Sequence, residues 1–295
     1  MSVVGSAPTL GSSRWFAADG WRQTGSLRLL DLVVAVHSDD PAVLELVDAL
    51  YAPARVDEVA AHALFLGRVR VGGADGYVAA VDGGVLVRTP APSIAFRHLV
   101  YEINQMAIDA TDAAVRLHAG AAARGAGAVA LVGPMGSGKS TLTAGLVARG
   151  WVYLTDEVVA IDPDRRVRPY PKPCSLGHRP PGLGAAEWRP PRSAVPYLGD
   201  AGLVPAPVLG AVADAPVPLG AVVLPQHRRG AATELTEVTP ADALVEVGAH
   251  AFGLSAPGAL AALHDVIRDV PCFRVVSSDV AEACDAIESV SRFEA

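Results

Sequence analysis

The chain has 295 residues, 51% of them hydrophobic and only 5% aromatic, with a formal net charge of −7. That acidic balance excludes a general nucleic-acid binder, which needs surplus Lys and Arg to neutralise phosphates, and no run reaches the roughly 18–20 apolar residues that cross a bilayer. The three cysteines, Cys174, Cys272 and Cys284, are odd in number, lack metal-type spacing and read as reduced thiols.

Residues 1–20 are rich in Ser, Gly and Ala and lack the basic start and apolar core of a signal peptide. A soluble, cytoplasmic protein with no membrane partner is expected. Ala, Val, Gly and Leu dominate, which suits Val/Leu strands layered with Ala/Leu helices. The expected fold class is α/β, with a small N-terminal α/β domain over 1–110 and a larger domain over 111–295.

In chain order, Leu29–His37 is a strand candidate, interrupted in its apolar character by Asp31. Asp40-Pro41 opens a helix running to about Tyr51, because Asp caps and Pro favours the first helical position. Arg68–Arg88 reads as two short strands with turn signals at Gly72–Gly76 and Asp82–Gly84. A long amphipathic helix follows over Pro92–Thr111, with Phe96, Leu99, Val100, Ile103, Met106 and Ala107 at helical spacing. The second domain opens with strands Val115–His118 and Ala128–Val132, then a helix over Lys139–Arg149 stopped by Gly150, then a strand Trp151–Leu154.

From Pro163 to Pro218 the texture changes: 13 of the 23 prolines lie here, with Arg165, Arg166, Arg168, Lys172, Arg179, Arg189 and Arg192 among them. Such a stretch cannot hold long regular elements and is either a solvated connector or a substrate-binding excursion. Order returns with a strand Gly220–Leu224, helices opened by Pro240 and Pro257, a strand Cys272–Val276, and a last helix from Asp279 with Glu282 completing a capping box.

The chemistry concentrates in Gly133-Pro134-Met135-Gly136-Ser137-Gly138-Lys139-Ser140, which fits G-x-x-x-x-G-K-[ST] in full. Glycines let successive N–H groups curl around phosphates, Lys139 neutralises the β- and γ-oxygens, and the Ser140 hydroxyl ligates Mg²⁺. The helix that leaves the loop points its positive end at the same charge. These residues and the following Thr141 are the candidate contacts of ATP. Lysine is scarce, with Lys139 and Lys172 the only two.

Asp156-Glu157 follows Lys139 by seventeen residues, where the next strand has returned to the same sheet edge. One carboxylate can reach Mg²⁺ and its neighbour can accept a proton from an attacking hydroxyl; strand alternation would send them to opposite sides. His118, at the end of the strand before the loop, is a further candidate for the site.

A His in Leu117-His118-Ala119-Gly120, a short hairpin, the phosphate loop, a helix ending Arg149-Gly150 and a strand ending Thr155-Asp156-Glu157 occur together at this spacing. In that combination the run 117–162 resembles the catalytic domain of the HPr kinase/phosphorylase family, and more closely the HPr-kinase-like proteins of bacterial peptide-biosynthesis clusters, lasso-peptide kinases included. The resemblance implies a P-loop domain akin to phosphoenolpyruvate carboxykinase and phosphate transfer to a serine hydroxyl. It implies Lys139 and the loop on the phosphates, Ser140 and Asp156 on the metal, Glu157 as proton acceptor and His118 assisting. Members often assemble, so a homo-oligomer is expected. The family's Glu after the loop serine is replaced here by Thr141, and its downstream Arg-Gly stretch has no counterpart, so neither the reverse phosphorylase reaction nor HPr itself is implied.

Three functions follow: a kinase acting on a peptide or protein serine, a kinase acting on a small hydroxylated molecule, or a nucleotide-dependent regulatory ATPase. The chain has no ABC-type Leu-Ser-Gly-Gly-Gln signature, and its sole asparagine, Asn104, cannot form an Asn-Lys-x-Asp guanine reader, which favours ATP over GTP. A second cation should complete the site, from Arg168, Lys172, Arg228 or Arg229.

Overall fold

A computed structural model describes residues 20–176, 188–200, 202–290 and 293. The expectations for residues 1–19 and for Arg179 lie outside these. The chain is a mixed α/β protein with two large mixed β-sheets and a two-stranded ribbon. It divides into two compact units, residues 1–110 with 189–201, and residues 111–188 with 202–295.

The first unit contains β1 (Arg22–Gln23), β2 (Ser26–Leu29), β3 (Leu32–Ser38), α1 (Pro41–Leu50), β4 (Arg55–Val56), β5 (His62–Val71), β6 (Ala74–Val81), β7 (Gly84–Thr89) and α2 (Pro92–Ala110). Its sheet has the order β4-β2-β3-β5-β6-β7, with β1 on β3 and a single parallel pair, β3–β5. Asp40 caps α1 by accepting the Ala42 N–H at 2.9 Å, as its sequence position predicts. The strand expected over Leu29–His37 is instead a hairpin, because Leu30 takes a left-handed φ of 57° and turns the chain beside Asp31. The two strands expected over Arg68–Arg88 are parts of three, which turn at Gly72-Gly73 and Asp82-Gly83.

The second unit begins with β8 (Val115–Arg124), β9 (Gly127–Val132), α3 (Lys139–Ala148), β10 (Val152–Thr155), β11 (Val158–Ile161), β12 (Arg166–Arg168) and β13 (Cys174–Ser175). The chain then contributes α4 (Val195–Leu198) to the first unit. It returns with β14 (Leu203–Val204), α5 (Ala206–Leu209), β15 (Val217–His227), β16 (Glu234–Val238), α6 (Pro240–Gly248), α7 (Ala259–Asp269), β17 (Cys272–Ser277) and α8 (Val280–Glu288). Among the described residues, no element wholly inside 163–218 exceeds four residues.

Strands β9, β15 and β17 run parallel, with β16 antiparallel beyond β17. On the other flank of β9 lies the long strand β8, which pairs with β11 through its first half and with β10 through its second. Side chains along β9 and β15 alternate between two cores. Ala130, Val132, Val222 and Leu224 join Val247 and Leu263 of α6 and α7. Val129, Leu131, Ala221 and Val223 join Leu142, Leu146 and Ile287 of α3 and α8. Helices on both faces leave the carboxyl ends of the three parallel strands as the open rim, where such sheets place ligands.

Several boundaries differ from expectation for physical reasons. β15 extends well beyond Gly220–Leu224, because Pro218 and Pro225 are accommodated within it. α7 starts at Ala259 rather than Pro257, since Gly258 before it adopts φ 81°. At α8, Asp279 caps the Glu282 N–H at 3.0 Å, but Glu282 does not complete the box; its carboxylate takes the Thr233 hydroxyl at 2.6 Å. No helix among the described residues is long and apolar enough to cross a membrane.

Candidate functional site

All six residues of β9 are buried, and the chain leaves it at Gly133 into the glycine loop. Gly136 and Gly138 adopt φ of 82° and 102°, left-handed values that favour glycine, and Gly138 becomes the N-cap of α3. Lys139 folds back so that Nζ donates to Gly133 O at 2.7 Å and Pro134 O at 3.0 Å. Pro134, Met135 and Gly136 form an exposed tip, while Ser140 and Thr141 stand half-buried on the first turn of α3. The Ser137 hydroxyl is buried and has no hydrogen-bond partner among the described residues.

Asp156 and Glu157 occupy a bend between β10 and β11, opposite Ala119 and Gly120 of β8. The bend, rather than regular alternation, sends the two acids to different partners. Asp156 is buried; its Oδ2 accepts the Ser175 N–H at 2.8 Å, and its Oδ1 has no partner among the described residues. Burial pushes its carboxyl up, partly opposed by the Lys172 ammonium, the Ser175 N–H and the nearby Ser140 hydroxyl. Glu157 instead meets Lys172 Nζ at 2.9 Å and His118 Nδ1 at 3.7 Å. Burial pushes Glu157 up as well, but Lys172, with help from His118 and Lys139, outweighs it and holds the carboxyl below its ordinary value.

His118 ends the first half of β8, its N–H donating to His250 O at 2.8 Å and its ring tilted against Phe252. Burial lowers its pKa, with Lys139 and Lys172 adding to the effect and Glu157 opposing it, so the ring is neutral near pH 7. Lys139 is lowered by burial, with Asp156 and Glu157 opposing. Every residue singled out from the sequence for this site, from the loop to His118, Asp156 and Glu157, thus lies along adjoining elements of one unit.

No protein-family model and no curated protein matches the chain.

Of the four cations considered as completing the site, Lys172 is the one in place. It is only 2% exposed, and the proline-framed segment that carries it is pinned to β10: Tyr170 N–H donates to Leu154 O at 2.9 Å, and the Tyr153 hydroxyl donates to Lys172 O at 2.7 Å. Its ammonium also donates to Ser175 Oγ at 3.3 Å. Arg168 lies with Asp162 and Asp112, and Arg228 and Arg229 are exposed beyond β15. Ser175 and His250 were not foreseen; neither carries a pattern of its own, and only the fold brings them here.

Among the described residues no group of three or more His, Cys, Asp or Glu side chains is poised for a metal. The orphaned Asp156 oxygen and the Ser140 hydroxyl nevertheless make an all-oxygen pair suited to a hard cation that takes its remaining ligands from phosphate and water. Two cavities flank the loop, one of about 260 Å³ towards α8 and one of about 470 Å³ towards α6 and His250.

Proposed function

We propose that the chain is an ATP- and Mg²⁺-dependent kinase that transfers the γ-phosphate to a hydroxyl, that of a serine in a peptide or protein. In this reading the second unit is a P-loop domain of the HPr kinase/phosphoenolpyruvate carboxykinase type. The observation that carries it is the division of the acid pair. Asp156 keeps a buried, partnerless oxygen near Ser140, while Glu157 faces His118 and Lys172. A second acid set apart from the metal serves an acceptor whose proton must leave as the phosphate arrives, an alcohol or a water; the resemblance of the run 117–162 to serine kinases favours the alcohol.

Each residue then has a physical task. The loop amides and the α3 terminus hold the phosphate chain, and Lys139 exchanges the Gly133 and Pro134 carbonyls for phosphate oxygens. Ser140 and Asp156 would hold Mg²⁺, which supplies neutralisation of charge on the β- and γ-phosphates. Glu157, kept ionised by Lys172, accepts the proton of the attacking hydroxyl. His118, with Nδ1 3.7 Å from that carboxylate and its ring neutral, walls the site beside it.

Incubation with γ-labelled ATP and Mg²⁺, together with peptides encoded by neighbouring genes and a panel of hydroxylated metabolites, tests the reading by mass spectrometry. One phosphate gained on a serine peptide supports it. A phosphorylated metabolite points to a small-molecule kinase, and release of inorganic phosphate alone overturns the transferase assignment.

A further inference from the structure

We infer that the cavity of about 260 Å³ on the α8 side of the loop is the seat of the purine nucleoside of the bound triphosphate. This rests on the kinase reading and extends it to the half of the nucleotide that the glycine loop does not address.

The first argument is direction. His118, Asp156, Glu157 and Lys172 all come from β8, from the β10–β11 bend, or from the segment pinned to β10. They therefore crowd one flank of β9, and the γ-phosphate has to lie there to meet them. In a loop of this kind the lysine reaches the β- and γ-phosphates, while the amides cradle the α- and β-phosphates. The chain of phosphates accordingly runs away from the acids, across the loop, towards the flank of β9 occupied by β15 and β17.

The second argument is what stands at that end. The cavity is continuous with the loop, being bordered by Gly136–Gly138 and by Thr141 on the first turn of α3. Its walls include Leu142, Val275, Val280 and Ala283, apolar side chains suited to the faces of a flat heterocycle, with Ser277 and Asp279 beside them. Gln226, near the end of β15 and shared with the larger cavity, has an amide that can donate and accept along the edge of a base. The larger cavity has a different character: it contains Glu246 and His250, and His250 O holds the His118 N–H. It is the more polar of the two and has no wall from α3 or α8, which makes it the poorer seat for a flat heterocycle.

Calorimetric titration of Mg-ATP and of Mg-tripolyphosphate into wild type, Val280→Trp, Ala283→Phe and Gln226→Ala tests the assignment. Filling the cavity should raise the Kd for ATP by about tenfold or more, roughly 1.4 kcal/mol, and leave the tripolyphosphate Kd within about twofold. Val280 is half-buried at the start of α8 and guards against the case in which the buried Ala283 variant fails to fold. If wild type binds both ligands and the folded variants bind ATP as wild type does, the nucleoside lies elsewhere while the kinase reading stands. If wild type binds neither, the kinase reading falls and this assignment falls with it.

Discussion

Lys172 and Glu157 form a 2.9 Å ion pair in which the lysine side chain is 2% exposed. Taking both charges from water costs several kcal/mol per ion, so a pair of this kind is weak evidence for stability and better evidence for placement. Glu157→Gln and Lys172→Met should each slow phosphate transfer by about a hundredfold or more. The double variant should be no slower than the worse single one, because the two side chains act as a unit. Lys172→Arg should not rescue, since a planar fork cannot occupy a slot shaped around a point charge. Single-turnover rates of wild type and the four variants decide this; additive losses would contradict it.

Magnesium dependence should pass through Asp156. Its partnerless Oδ1 is the oxygen free to ligate, while Oδ2 is committed to Ser175. Asp156→Asn should bind ATP in EDTA about as wild type does, yet gain less than about twofold on adding Mg²⁺ where wild type gains about tenfold. Equal gains in both proteins would remove Asp156 from the metal.

Asp40 sets an acid limit on the first unit. Burial pushes its carboxyl up, but the Tyr197 hydroxyl at 2.8 Å, the Ala42 N–H and Arg68 outweigh this and hold it below its ordinary value of 3.8. A depressed folded value adds stability at and above the unfolded value, and that stability fades as the pH falls through the folded one. Asp40→Asn should therefore cost about 1 kcal/mol at pH 7, and the gap to wild type should close as the pH drops below about 4. Paired thermal melts across this range measure it.

Gly120 and Thr143 fix how closely α3 approaches β8. A Cβ on Gly120 would stand 2.3 Å from Thr143 Oγ1, a hydroxyl that is fully buried and has no partner among the described residues. Gly120→Ala should destabilise by about 1–3 kcal/mol through overpacking. Thr143→Ala should be close to neutral, since it removes an unsatisfied group, and should restore most of the loss in the double variant. Denaturant midpoints of the four proteins give the answer.

The loop was legible because its physics is local. Glycines, one lysine and a serine occur in a fixed order, between an apolar strand and a helix that β9 and α3 reproduce closely. Helix starts at Asp40 and Thr239 were legible for the same reason, each being one side chain against one nearby N–H. Strand ends were less so: β15 carries Pro218 and Pro225 because partner strands, invisible in a linear reading, decide which N–H groups are needed. Lys172 could be named only as one cation among four, since its choice depends on the hydrogen bonds of Tyr153 and Tyr170 across the fold.

The two lysines of the chain, Lys139 and Lys172, are both buried, at 7% and 2% exposure. The protein consequently offers almost no ε-amine to an acylating reagent while it is folded. Its rate of lysine acetylation would measure how often this one crevice breathes, unmixed with the surface signal that obscures such experiments in lysine-rich proteins.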